Sequence, residues 1–448
     1  MALIGSPPLS AKPLYFPQLQ HLISTTISAT DSYFDGYLLP VMGGPAGLIW
    51  QQQFSAQVAF TAVNGHLARP WVAILDHQYQ LHYLAPSTGQ IAYSWQLTPF
   101  SLAEPAPRVL SMASLAQSGQ TLALLSGIMA NPKEAELFAV ALPTSDFFSS
   151  IPYLWRRQLP KYTQQHSLQW MKLATGQMAL CLTAVQYHPL SQRYQGILQW
   201  WSVQGEKIQQ LTLPITTELL QLTELSALDT QGLGYVDYLY IGDSLGQLWQ
   251  IDISAAKPQQ WQRSAQPKFI NQYQGQTGAL RTKPVVSRHH SGEGFMVYLV
   301  AQHPLLTGIQ ILYGVWDDEP SSVPNNGGMP SKSWLSGVNW ARQWPAELMQ
   351  PVLRGKVLVM TGNFHSGTQV WTIDAISGQD QAEGVVLKVN PTLLNRPYIP
   401  DSLTPVLPLT MPCDRKNQIY LPTPQGLGWA ELAVDAQDLG RHSWQVAP

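Results

Sequence analysis

Several clusters in this 448-residue chain have residue types and spacings that could carry chemistry. Gly242-Asp243-Ser244-Leu245-Gly246 has the spacing G-x-S-x-G, which in hydrolases exposes a serine nucleophile on a strained turn between a strand and a helix. Just before it runs LDTQGLGYVD, Leu228 to Asp237. A calcium loop of the form D-x-[DN]-x-[DN]-G places oxygen ligands at alternate positions, so that several aim at one hard cation. With Asp229 as the first position, the third is Gln231, the fifth Leu233, the sixth Gly234 and the ninth Asp237. Further along, Arg288 to Gly294 holds the adjacent pair His289-His290, and Asp317-Asp318-Glu319 forms a short acidic run.

Each cluster depends on the element that carries it. The residues after Gly246 alternate as a strand (Leu248 and Gln250 against Trp249 and Ile251), and those before Gly242 do the same. A serine between two strands is a hairpin residue rather than a nucleophile at the head of a helix. GDSL esterases would also need an Asp-x-x-His, which this sequence lacks. Ser244 is therefore read as a turn residue. Neighbouring strand positions point to opposite faces, so His289 and His290 cannot share one metal, and they read as loop residues. The acidic run reads as a solvated loop. Asp229, Gln231 and Asp237 are read as a degenerate calcium loop, weak or empty, because Leu233 supplies no oxygen at the fifth position.

The hairpin around Ser244 recurs. Similar units are WVAILDHQYQLHYLAPSTG (Trp71 to Gly89), ALLSGIMANPKEAELFAVAL (Ala123 to Leu142) and MALCLTAVQYHPLSQRYQGILQWWSVQG (Met178 to Gly205). Others are FMVYLVAQHPLLTGIQILYGVW (Phe295 to Trp316), VLVMTGNFHSGTQVWTIDAISG (Val357 to Gly378) and QIYLPTPQGLGWAELAVD (Gln418 to Asp435). Several follow a short Pro-led strand, as at Lys12-Pro13-Leu14, Lys283-Pro284-Val285, Gln350-Pro351-Val352 and Thr404-Pro405-Val406; proline is tolerated where a strand begins. Seven units at a period of roughly 50–60 residues match the blades of a propeller, whose sheets bury both faces against one another. The expected fold is all-β, a seven-bladed β-propeller forming a single domain over residues 1–448, with an irregular, Pro- and Gly-rich insertion at about 317–340.

Bulk composition narrows the partners. Charged residues are 12 % of the chain, about half the usual quarter, and net charge is −2. No basic run exists for a phosphate backbone, so nucleic acid is not an expected partner. Cys181 and Cys413 lie far apart outside any C-x-x-C unit and read as two unbridged thiols. No charged segment followed by an apolar one marks an export signal at the N-terminus, and no apolar run reaches the roughly 20 residues of a membrane-spanning helix.

The segment from Asp229 to Asp252, DTQGLGYVDYLYIGDSLGQLWQID, resembles the pattern D-x-[DN]-x-D-G-x-x-D-x-x-Y-x-G-D-x-x-G-N-L-W-x-x-D of the PilY family. RTKPVVSRHH, GFMVYLVAQH and ILYGVWDDE are similar to the family's next blade. ARPWVAILDHQYQLHYLAPSTGQ is similar to an earlier one, and the ending GRHSWQVAP is similar to the family's R-x-S-W-R. The resemblance covers almost the whole chain in order. It implies a quinoprotein-like propeller and a non-enzymatic role with the type IV pilus, in pilus assembly and extension, surface adhesion and twitching motility. It also implies minor pilins or other tip components as partners, with a host or abiotic surface as target, and a location at the cell surface, pilus tip or periplasm. The family's calcium loop regulates retraction; here only Asp229 and Asp237 match its charged positions. Two other readings are a quinoprotein-type dehydrogenase, which needs a quinone over calcium and a catalytic carboxylate, and a scaffold for another surface complex.

Overall fold

The computed structural model describes most of residues 14–380, leaving out 1–13, 40–46, 64–69, 98–105, 143–152, 289–293, 318–337 and several shorter stretches; beyond 380 it describes only 388–389, 407–410, 417–423 and 426–432. Among the described residues the chain is strand throughout, apart from turns and one 3-10 turn at Pro258–Gln260. No helix among them is long and apolar enough to cross a membrane.

The strands form sheets of consecutive antiparallel neighbours, spanning 14–54, 59–96, 106–159, 162–212, 226–270, 285–344, 347–374 and 388–432. We number these sheets 1 to 8. All seven hairpins expected from the sequence are present, each as the second and third strands of a sheet. Among the described residues there are eight sheets of four or more strands, one more than the seven units read from the sequence, and a two-stranded ribbon, Gln272–Tyr273 with Gln276–Thr277. The additional sheet is the first, whose central hairpin pairs His21–Ile27 with Ser32–Leu38. Its strands, HLISTTI and SYFDGYL, carry Ser, Thr and Asp where the other hairpins carry aliphatic runs, so its apolar periodicity is faint. Two of the four Pro-led segments run into innermost strands, Val285–Arg288 and Val352–Arg354; Lys12-Pro13 and Thr404-Pro405-Val406 lie outside the described residues. In sheet 7 that inner strand is split, with Glu347–Leu348 and Val352–Arg354 both pairing with Val357–Phe364 on either side of Pro351. In sheet 8 the outer strand, Lys388–Val389, precedes the other three in sequence. The insertion interrupts sheet 6 between Gln310–Asp317 and Val338–Trp344, so residues 338–340, expected within it, belong to a strand; 318–337 lie outside the described residues.

The core is a series of apolar layers, each between consecutive sheets. In Trp71–Leu75, Val72 and Ile74 enter a cluster with Ile23 and Phe34 of sheet 1, while Ala73 and Leu75 enter one with Leu125 and Phe138 of sheet 3. In Tyr238–Gly242, Leu239 and Ile241 face Cys181 and Trp200 of sheet 4, while Tyr238 and Tyr240 face Val297 and Leu299 of sheet 6. Alternation along a strand sends successive side chains to opposite layers. Because apolar layers lie on both sides, central strands carry apolar residues at consecutive positions, as in Trp71–Leu75 (WVAIL), rather than only at every second one.

A repeated clasp joins the outer parts of neighbouring sheets. Trp50, Trp155 and Trp340 lie on outermost strands opposite a small residue of the third strand: Gly36, Ala139 and Gly314. A β-bulge follows each pair. Each indole N–H donates to a carbonyl in the outer turn of the next sheet, at 2.8 Å (Pro86), 2.7 Å (Val203) and 3.0 Å (Ala375). Each ring covers the glycine of that turn, Gly89, Gly205 or Gly378, all at positive φ; a Cβ there would meet the indole at 2.4, 2.5 or 2.6 Å. Two residues beyond Trp155 and Trp340, on the same face, Arg157 and Arg342 donate to the carbonyls of Gly205 and Gly378. In sheet 4 the corresponding outer residue is Gln209, whose amide reaches Pro258 O at 2.7 Å.

Replacing Trp340 with alanine removes a buried ring and a hydrogen bond, and is expected to cost about 3–5 kcal/mol. Trp340→Phe keeps most of the packing and is expected to cost about 1 kcal/mol for the lost N–H. Gly205→Ala should fall between them, because its positive φ and the indole both oppose a side chain. Urea denaturation of the three variants checks this order.

Candidate functional site

The residues picked out for chemistry gather around sheet 5. The connection between Ser226–Leu228 and Tyr238–Gly242 is the loop holding Asp229, Gln231 and Asp237. Asp229 Oδ1 accepts the backbone N–H groups of Gln231 and Leu233 at 3.2 and 3.1 Å, and Oδ2 accepts that of Gly234 at 2.6 Å. Gly234 takes φ +79, a left-handed turn suited to glycine. The Asp237 carboxylate accepts the Thr230 N–H at 3.0 and 3.1 Å and also its hydroxyl. Both carboxylates are buried. Burial raises the Asp237 pKa, the Thr230 hydrogen bonds oppose the rise, and the neighbouring Asp229 charge adds to it. The loop is tied to both neighbouring sheets: Val236 N–H donates to Lys172 O at 2.8 Å, and Arg288 donates to Thr230 O at 2.9 Å.

These residues do not make a set for tight calcium binding, which takes six to eight oxygens. They offer two carboxylates and the amide of exposed Gln231, while the fifth side chain, Leu233, is apolar and 57 % exposed. Among the described residues no group of three or more His, Cys, Asp or Glu stands together as metal ligands. The two carboxylates accept from donors within the loop, the N–H groups of Thr230, Gln231, Leu233 and Gly234. The loop keeps the turn of a cation loop while closing on its own hydrogen bonds.

Ser244 lies in the turn between Tyr238–Gly242 and Gln247–Asp252, followed by a strand as expected. Its hydroxyl donates to Leu219 O at 3.0 Å and accepts the Gln221 N–H at 2.9 Å. It stitches the incoming segment from sheet 4 to the turn, a role its spacing in G-x-S-x-G does not reveal. On the other side of the turn, Asn271 N–H donates to Gly246 O and Leu280 N–H to Asp243 O, at 2.8 and 3.0 Å.

The neighbouring Asp243 locks the turn. Its Oδ1 accepts the N–H groups of Leu245 and Gln247 at 2.9 Å each, and Oδ2 accepts Trp249 Nε1 at 3.0 Å. Sheet 2 repeats the device: Asp76 accepts the N–H groups of Gln78 and Gln80, and its second oxygen lies 2.9 Å from His82 Nε2. The two carboxyls respond in opposite directions. For Asp76, burial alone would raise the pKa, but the hydrogen bonds and charge of His82, with the two backbone donors, bring it below its ordinary value. For Asp243 the ring partner is a neutral indole, and burial wins, pushing the pKa up to about 6. The recurrence DxxxQLH and DxxxQLW (Asp76 to His82, Asp243 to Trp249) is the sequence signal that marks the shared turn.

The acidic run is corrected at its first residue. Asp317 ends the strand Gln310–Asp317 and is buried rather than solvated. Tyr240 O–H and Gln250 Nε2 donate to its Oδ2 at 2.7 and 3.0 Å, and Lys268 reaches Oδ1 at 3.1 Å. Sheet 5 thus supplies to a carboxylate of sheet 6 the donors that its burial requires. Burial first, then the Asp317 charge, raises the Tyr240 pKa well above its ordinary value. Asp318, Glu319, His289, His290 and Cys413 lie outside the described residues. Cys181 is a core thiol of sheet 4, its pKa pushed up by burial.

No family model matches the sequence, and no curated protein is similar to it. Solved structures do share the architecture. The chain is similar to the PilY1 C-terminal domain of Pseudomonas aeruginosa, with TM-score 0.56 and 15 % identity over 81 % of this chain and 93 % of that one. It is equally similar to Sqt1 of Saccharomyces cerevisiae, with TM-score 0.56 and 10 % identity over 95 % and 96 % of the two chains. The WD40 domain of fission yeast SCAP follows, with TM-score 0.52 and 10 % identity over 96 % and 97 %. At these identities the likeness establishes the fold: this is an all-β protein of β-propeller architecture.

Two measurements probe the site. Calcium at millimolar concentration should leave the melting temperature of the wild-type chain within about 1 °C, whereas Leu233→Asp, which restores an oxygen at the exposed fifth position, should gain a calcium-dependent rise of several degrees; differential scanning calorimetry reads both. Carboxyl 13C NMR should place the Asp243 titration near pH 6. The folded state then holds this proton to higher pH than the unfolded chain, so the group favours folding most below about pH 4 and that contribution is lost as pH rises to about 6.

Proposed function

We propose that this chain is a non-enzymatic protein of the type IV pilus, acting in pilus assembly and extension, surface adhesion and twitching motility. The observation that carries this reading is the run from Asp229 to Asp252. Its letters resemble the PilY segment, and it folds as one continuous unit of loop, strand, Asp243-locked turn and strand. The likeness to the PilY1 C-terminal domain supports the reading at the level of fold. A role without catalysis is supported by Ser244, whose hydroxyl is committed to backbone partners on both sides in a strand-turn-strand setting.

On this reading the partners are minor pilins or other tip components, the target is a host or abiotic surface, and the protein works at the cell surface, pilus tip or periplasm. The degenerate loop at Asp229 to Asp237 then acts as a fixed tie between sheets 4, 5 and 6. Deletion of the gene in the source organism is expected to reduce surface piliation, twitching zones and attachment, with recovery on complementation. Unchanged piliation, twitching and attachment would contradict the proposal.

A further inference from the structure

The lock at Asp76 has a continuation that the one at Asp243 lacks. His82 lies directly across from Ser94, a residue of the outermost strand of sheet 2, Ile91–Gln96. Its Nε2 is 2.9 Å from Asp76 Oδ2, and its Nδ1 is 2.8 Å from Ser94 Oγ. One hydrogen-bonded chain therefore runs from a half-buried carboxylate, through a buried imidazole, to a serine that is exposed. Chemistry fixes its direction. Burial raises the Asp76 pKa, but His82 and the backbone donors of Gln78 and Gln80 bring it below its ordinary value, so this carboxylate is ionised and only accepts. An acceptor at Nε2 draws the proton of a neutral imidazole to that side and leaves the Nδ1 lone pair for the Ser94 O–H.

We infer that Ser94 is a nucleophile that takes an acyl group from an activated ester, with His82 as its base and Asp76 as the residue that positions the base. A hydroxyl within hydrogen-bond reach of a base, itself oriented by a third group, is the arrangement that activates serine. The turn lock alone does not require it: in sheet 5 the equivalent carboxylate holds the same two backbone donors with a neutral indole as its ring partner. The ring of Phe54 lies against the imidazole, with centroids 5.8 Å apart, and Phe34 stands behind it at 5.6 Å. This apolar wall shields one side of the base from water and favours an uncharged acyl group. In the transfer, Ser94 Oγ bonds to the ester carbonyl carbon as its proton passes to His82 Nδ1. The bond to the leaving alcohol then breaks, and the alcohol departs with that proton. The imidazole ends neutral, and no oxidation or reduction occurs. The chain itself is modified, one acyl group per molecule, so the step stands beside a non-enzymatic pilus role and does not rest on it.

Treating the full chain with p-nitrophenyl acetate and mapping acetylated residues by peptide mass spectrometry tests this. Ser191 is the internal control, an exposed serine whose hydroxyl meets the His188 carbonyl rather than an imidazole. Ser94 should acetylate about 100-fold faster than Ser191, and His82→Gln should remove most of that advantage. Ser94→Ala, at an exposed position, should abolish acetylation of its peptide in a chain that stays folded. Asp76→Asn should slow Ser94 acetylation while the amide NMR shifts of Gln78 and Gln80 show the turn still closed. Equal rates at Ser94 and Ser191 would overturn the inference. So would acetyl groups found on lysines alone, or a Ser94 rate untouched by His82→Gln. If His82→Gln fails to fold, the wild-type ratio of Ser94 to Ser191 decides alone, and a ratio near unity counts against the assignment.

Discussion

The packing of one tryptophan between two small residues constrains much of this architecture. A sheet of four short strands cannot bury both faces by itself, and consecutive sheets must be held at a fixed separation for their apolar layers to close. The clasps at Trp50, Trp155 and Trp340 supply that spacing. Each ring needs a small residue behind it on its own sheet and a glycine in front of it on the next. The indole hydrogen bond then fixes the next turn in register. The bulge after each pair lets the outer strand turn its tryptophan outward without losing the ladder. Where the clasp carries an arginine two residues later, the glycine carbonyl is engaged as well.

Once the sheets are spaced, the loops at their ends become positioned objects. The Asp229 to Asp237 loop is tied to sheet 4 through Val236 and to sheet 6 through Arg288. The Asp243 turn is tied to the segments that cross on either side of it. Asp317, with Tyr240, Gln250 and Lys268, fixes the point at which the chain leaves sheet 6 for its insertion. The carboxylates of Asp229 and Asp243 and the Ser244 hydroxyl hold backbone groups, and Asp317 holds side chains of sheet 5.

Much of this was legible in the residues. The seven hairpins are legible because their central strands hold consecutive apolar residues on either side of a turn, as in WVAIL and YLYIG. Sheet 1 escaped notice because Ser24, Thr25, Thr26 and Asp35 dilute that signal in its hairpin. Ser244 was legible as a turn from the strand that follows it. Asp317 was not legible as buried, because its donors come from residues 49 to 77 positions away. The clasps were half visible: three of the repeated units end on Gly89, Gly205 and Gly378, but the tryptophans that cover them belong to the preceding sheet. That pairing exists only in three dimensions. The strand pattern W-x-R-Q at Trp155 and Trp340 is the sequence signal that could have found it.

The most direct test of the spacing role is hydrogen exchange at the indole N–H groups of Trp50, Trp155 and Trp340, followed by NMR under native conditions. If these clasps hold the sheets together, the three protons should exchange only through global unfolding, with protection matching the slowest core amides of Leu239 and Val297. Exchange of all three within seconds, while those core amides stay protected, would contradict the account.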